Sequence, residues 1–203
     1  MPVVALGSWI TFNVNNELRA LANCTQVTRA FFAQGGRLFH CSPMYGSSQP
    51  AIGHALAQLG HPTALFSAEK VWEGDATQGP AQMETSRGHW DVPRFDLMKV
   101  HNLLAWQQQL PHLLEMKAAG RLRYVSITTS HSRRHKQLAQ TMATQPIDFI
   151  PSAATLWTMG SMQRWVAADA ALIALLAATL GRRNALASTT HRSVFHESTN
   201  LGY

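Results

Sequence analysis

A tyrosine, a lysine and a histidine stand at the ends of three consecutive short apolar runs: Tyr45 after Arg37 to Cys41, Lys70 after Ala64 to Ala68, and His101 after Phe95 to Val100. If the three runs are neighbouring strands, these side chains converge on one pocket. A phenol whose pKa is lowered by a nearby ammonium is a proton donor or acceptor suited to neutral pH, and an imidazole beside it can orient a carbonyl oxygen. Taken singly, each residue has a plain structural reading as a loop tyrosine, a solvated lysine or a buried histidine. For each residue alone, that plain reading is the stronger.

The elements that would position them are legible in the pattern. Val3 to Leu6, Arg37 to Cys41, Ala64 to Ala68, Phe95 to Val100 and Arg123 to Thr128 are short, apolar and partly β-branched, and read as buried strands. Thr25 to Gln34, Gln49 to Leu59, Gly79 to Arg87, Trp106 to Ala119 and Arg133 to Met142 carry apolar residues at three- and four-residue spacing and read as helices. Thr25 and Ser132 are expected N-caps. Gly35-Gly36, Gly60 and Gly120 are expected helix stops, because the residue closing a helix commonly takes positive φ.

Strand and helix alternate at a repeat of about thirty residues, the signature of βαβ units and a parallel sheet with right-handed crossovers. A doubly wound open sheet and a closed (β/α)8 barrel both satisfy that pattern. A dinucleotide-binding open sheet would show Gly-x-Gly-x-x-Gly after its first strand, whereas here the strand runs into Gly7-Ser8-Trp9. That favours the barrel, whose chemistry sits at the C-terminal ends of the strands.

Composition narrows the class. The chain has 203 residues, 46% of them hydrophobic, enough to bury a core and to exclude intrinsic disorder. Only 14% are charged, against about 25% in ordinary soluble domains. The net charge of +6 reflects missing acid, since the basic residues are scattered singly apart from Arg133-Arg134 and Arg182-Arg183. No nucleic-acid module accompanies them, so a nucleic-acid partner is not expected. Cys24 and Cys41 make no disulfide framework, and His40, Cys41 and His54 lack metal-ligand spacing, so no metal is expected. A reducing, cytoplasmic setting fits. The N-terminal MPVVALGSWITF lacks the basic start and cleavage site of an export signal.

The sequence resembles the aldo-keto reductase family. The resemblance is carried by Leu6-Gly7-Ser8-Trp9, Gly36-Arg37-Leu38-Phe39, Ser42-Pro43-Met44-Tyr45-Gly46-Ser47-Ser48, Ile52-Gly53 with Leu56, Lys70-Val71-Trp72, Asp96 through Asn102, and Gly120 through Thr128, in order from about Pro2 to Ile150. It implies a (β/α)8 barrel of that type that binds NADPH and transfers hydride to an aldehyde or ketone, a small-molecule carbonyl substrate. It implies further that Tyr45 is the general acid, Lys70 the cation that lowers its pKa, and His101 the residue that orients the carbonyl. At the family's aspartate position, five residues before the tyrosine, stands His40, which takes away the lysine's expected charge partner. Gln49 stands where the family usually has glutamate. The cofactor contacts implied are Gly7, Trp9, Thr128 and Thr129. The implied substrate-pocket residues are Trp72 and Asn102.

After Ile150 the pattern stops. The domain organisation expected is a barrel portion at 1–150 and a divergent segment at 151–203 with an apolar helix at about 162–180. That segment holds no Lys, eleven Ala, four Arg and two acids, Asp169 and Glu197. No positions in it match the family's ring-stacking aromatic or its 2′-phosphate-gripping bases. The expectation is a reading frame shifted near codon 150, leaving the barrel incomplete on its C-terminal side. Trp165 to Leu180 spans sixteen residues, short of the roughly 20 that cross a bilayer, so a membrane anchor is not expected. An unclosed barrel leaves a sheet edge open to self-association. Two functional readings are open: an NADPH-dependent carbonyl reductase, or a catalytically silent barrel fragment with a binding or regulatory role.

Overall fold

The computed structural model describes residue 2 and residues 4–148. The divergent segment at 151–203 and its apolar helix at 162–180 lie outside the described residues.

Five strands and five helices alternate: β1 (Ala5–Gly7), α1 (Leu18–Ala33), β2 (Leu38–His40), α2 (Ser48–Gln58), β3 (Phe66–Val71), α3 (Gly79–Trp90), β4 (Phe95–Val100), α4 (Trp106–Ala118), β5 (Leu122–Ile127) and α5 (His135–Thr144). Single turns of tighter helix, His101–Leu103 and Ser132–Arg134, come after β4 and β5. All pairings are parallel, and the spatial order is β1-β2-β3-β4-β5. A doubly wound sheet reverses its strand order at a switch point. This sheet has no reversal among the described residues, as in the first five units of a (β/α)8 barrel.

Several expected boundaries move; helix α5, for one, starts at His135 with Arg134 as its N-cap rather than Ser132. Strand β3 covers Phe66–Val71 rather than 64–68, so Lys70 lies within the strand and not after it. Helix α3 runs on to Trp90. Helix α1 begins at Leu18, not at Thr25, because the Glu17 carboxylate caps it, accepting from the backbone N–H of Arg19 at 2.9 Å and Ala20 at 2.6 Å. Thr25 is buried inside the helix, its hydroxyl donating to the Leu21 carbonyl at 3.0 Å. The expected stops at Gly35, Gly60 and Gly120 are in place, with φ of 82°, 69° and 72°.

Period-two alternation divides each strand between two layers. Outward-facing Phe39, Met98, Val100 and Ile127 pack against Ile52 and Leu56 of α2, Trp90 of α3 and Leu110 and Leu113 of α4. Trp90 is the keystone of that layer: fully buried, it makes edge contacts with Phe39 (5.7 Å) and Phe95 (5.5 Å) and donates its indole N–H to Glu69 Oε2 at 3.0 Å. Helices α2 and α3 pack closely at Gly53, where a Cβ would lie 1.9 Å from the His89 carbonyl oxygen. The inward face carries a smaller apolar layer of Leu38, Phe66, Ala68 and Leu97 against Tyr124. This inner layer is the floor on which the polar strand ends stand.

Asp148 fastens the end of the described chain. Its carboxylate accepts from Lys117 Nζ of α4 at 2.6 and 2.7 Å and from the Val125 N–H at 2.8 Å. Strands β1 and β5 each pair on one side only among the described residues. No helix among them is long and apolar enough to cross a membrane.

Candidate active site

The ends of β2, β3 and β4 bring Tyr45, Lys70 and His101 together. Lys70 Nζ donates to the Cys41 carbonyl at 2.6 Å and to Tyr45 Oη at 3.1 Å. The ammonium also lies over the Tyr45 ring, 4.6 Å from its centroid. The Tyr45 and His101 rings meet edge to face at 6.3 Å. Ser42, fully buried, holds His101 Nδ1 by a hydrogen bond of 2.9 Å from its Oγ. The loop from Cys41 to Tyr45 thus supplies a carbonyl that anchors the lysine, a hydroxyl that anchors the histidine, and the phenol between them.

Burial sets the charge state of every group. It pulls Lys70 down to about 8 against the opposing pull of Glu69. It pulls His101 down to about 4, helped by the positive charges of Lys70 and Lys99, which leaves a neutral imidazole at physiological pH. The Tyr45 phenol is pushed up by burial, then by Cys41 and Glu69, rather than down by Lys70 as its spacing suggests. The phenol's own burial is the largest cause. Tyr45 therefore keeps its proton near neutral pH, as a proton donor must.

His40 takes the aspartate position without taking the aspartate's part. Burial and the neighbouring Lys99 and Lys70 hold its pKa down to about 3. It is neutral, and its Nδ1 is buried without a hydrogen-bond partner among the described residues. The ring rests where Gly7 has no side chain: a Cβ on Gly7 would lie 3.0 Å from His40 Nε2. The carboxylate nearest the lysine in sequence, Glu69, faces the helices. It accepts from Gln49 Nε2 and Trp90 Nε1, each at 3.0 Å, and from the Lys70 N–H at 2.9 Å. Burial raises Glu69 to about 6 in spite of these donors. Gln49 thus serves as a donor to a buried acid.

The remaining expected site residues surround this core. Trp9, 65% exposed, approaches Tyr45 at 6.5 Å between ring centroids. Trp72 stands just after β3, its backbone N–H and carbonyl both bonded to the Gln82 amide. Asn102 sits at φ 53°, and its amide oxygen accepts from Ser130 N–H at 2.8 Å and Ser130 Oγ at 3.0 Å, so it ties the ends of β4 and β5 together. Thr129 is buried, its hydroxyl accepting from the His131 N–H at 3.1 Å. Thr128 is half-buried at the end of β5, anchored through its backbone to Val100 and Leu103. Its hydroxyl makes no hydrogen bond among the described residues.

Ser42 and Lys99 are the residues that the spacing argument passed over. Ser42 lies within the same segment as Tyr45, but nothing in one sequence ties it to a residue 59 positions away. Lys99 stands two residues before His101 on β4, so strand alternation places it on the same inward face.

Comparison with known proteins places this geometry in a family. The sequence profile of the aldo/keto reductase family matches residues 3–160, and the chain belongs to that family. Among solved structures it is similar to an aldo/keto reductase from Brucella melitensis, with 17% identity and a TM-score of 0.58 over 76% of this chain and 59% of that one. A putative 2,5-diketo-D-gluconic acid reductase B shares 18% identity and a TM-score of 0.61, over 81% of this chain and 59% of that one. A Bombyx mori aldo-keto reductase in complex with NADP shares 17% identity and a TM-score of 0.58, over 75% and 53%. The chain thus spans little more than half the length of these structures. No curated protein sequence matches it.

Proposed function

We propose that this chain reduces an aldehyde or ketone with NADPH, with Tyr45 as proton donor. The observation that carries the reading is the contact of Lys70 Nζ with Tyr45 Oη at 3.1 Å, beside a neutral His101 anchored by Ser42. A carbonyl oxygen between Tyr45 and His101 receives two donors. With Ser42 donating to Nδ1, His101 presents its Nε2 proton to that oxygen and fixes its direction. Tyr45 transfers its phenolic proton as negative charge develops, and Lys70 stabilises the phenolate that remains.

The residues present fit the nicotinamide end of the cofactor. The uncommitted Thr128 hydroxyl at the end of β5 is a donor and acceptor for a carboxamide. Gly7, Trp9 and Thr129 are the further contacts proposed. When bound, the nicotinamide supplies hydride to the carbonyl carbon. Trp72 forms the wall on the substrate side, and Asn102 holds the β4 and β5 ends that border it. Cys24 and Cys41, both buried and free, support a reducing, cytoplasmic setting.

The experiment is NADPH oxidation over a panel of small aldehydes and ketones, with Tyr45→Phe as control. Turnover that falls about 100-fold or more in the variant supports the reductase. One observation favours the alternative, a silent barrel: His40 offers Lys70 no counter-charge. Absence of NADPH binding in a fluorescence titration decides for that reading.

A further inference from the structure

Four lysines occur in the whole chain, Lys70, Lys99, Lys117 and Lys136. Two of them stand side by side inside the sheet, since Lys70 and Lys99 are register partners on β3 and β4. Lys70 is committed to Cys41 and Tyr45. Lys99 is 4% exposed, and no acceptor for its ammonium is found among the described residues. Beneath it lies the apolar floor that includes Ala68 and Leu97. Beside it are Lys70 and His40, and two residues on, in the turn after β4, is His101. Glu69 attracts it only from the far side of the sheet, where that carboxylate is bonded to Gln49 and Trp90.

An amine this buried, next to a second amine and without an acid on its own face, is costly to hold charged. Burial, and then Lys70, pull it down to about 7. Desolvation together with a neighbouring cation is the environment that turns a lysine into a nucleophile. We propose that Lys99 is a carbonyl-capturing amine that forms an imine with small aldehydes entering the pocket of Tyr45, Lys70 and His101. The Lys99 nitrogen lone pair forms a bond to the carbonyl carbon, and the carbonyl oxygen takes up a proton from Tyr45. The added nitrogen returns a proton to the phenolate through the site. Protonation of the carbinolamine hydroxyl by the Lys70 ammonium then releases water and leaves an iminium, whose N–H proton returns to the Lys70 amine to give the imine. One aldehyde and one amine give one imine and one water, and nothing is oxidised or reduced. The capture needs no hydride and stands apart from the reductase reading.

The test is reductive trapping of the full chain with propanal and sodium cyanoborohydride near neutral pH, with peptide mass mapping of the product. Trapping adds the mass of the aldehyde less one oxygen atom. Labelling of Lys99 should outpace that of exposed Lys136 by about tenfold or more, and urea-unfolded chain should label the two alike. Lys99→Met should lose that label and keep the one on Lys136. Labelling of native Lys99 at or below the rate of Lys136 would overturn the proposal. The comparison is made within the wild-type protein, so it does not depend on how a variant folds. It is also read without NADPH, so failure of reduction and failure of capture are separate results.

Discussion

Ser42 Oγ and His101 Nδ1 are 2.9 Å apart and both residues are buried, a hydrogen bond between the loop that carries the phenol and the turn after β4 that carries the imidazole. A neutral imidazole has one donor and one acceptor nitrogen, and whichever partner Nδ1 has decides what Nε2 can offer. Ser42→Ala should therefore lower kcat for aldehyde reduction by about tenfold with a smaller change in KM. Steady-state kinetics of the variant, with Ser42→Thr restoring the hydroxyl, check this.

His40→Asp should raise turnover. The neutral ring with its unpartnered Nδ1 gives way to a carboxylate close to Lys70 and Lys99, the two cations that now depress His40. An opposite charge favours the ammonium form, and a charged Lys70 is the better stabiliser of a Tyr45 phenolate. NADPH oxidation by the two proteins decides the matter, and equal or lower turnover in the variant opposes it.

Lys99→Met should make the protein more stable near neutral pH. The folded-state value of Lys99, about 7, lies below its ordinary 10.5. Stability linked to this group is fully present above 10.5 and is lost as pH falls through 7. Removing the amine should recover about 1–4 kcal/mol near pH 7, and the gain should shrink toward pH 10.5. Lys70, lowered in the same direction to about 8, keeps part of the slope in the variant. Urea unfolding at the two ends of this range measures the difference.

Two glycines of the helical layer should respond in opposite senses. Gly53→Ala drives a Cβ to within 1.9 Å of the His89 carbonyl oxygen, a backbone atom that cannot swing aside, and should cost about 1–3 kcal/mol or more. Gly88→Ala in α3 meets nothing within 4 Å and should stabilise by about 0.5–1 kcal/mol through helix propensity. Chemical denaturation of both variants against the parent tests the packing of α2 on α3.

The fold was legible because burial and alternation leave marks in one sequence: apolar runs at Phe95 to Val100, glycines at Gly60 and Gly120, and a thirty-residue rhythm. Boundaries were less so. Glu17 is an uncommon cap, and its action on α1 depends on where the loop from β1 brings it. The three chemical residues at strand ends could be read from order alone. Their charge states could not, because desolvation depends on what lies on every side. The burial of Tyr45 outweighs the lysine expected to acidify it, and Ser42 gains its meaning from a partner in the turn after another strand. Lys99 was within reach of the alternation rule, but a single inward lysine in a strand draws notice only once its neighbour across the register is known.

Each strand pairs with the strand that precedes it in the chain, so contacts accumulate locally and units can dock in the order of synthesis. Tyr45, Lys70 and His101 all precede residue 102 and belong to the second, third and fourth units. The residues of the chemistry are thus all synthesised before β5. By pairing with β4, β5 adds a wall to a constellation drawn entirely from the units before it.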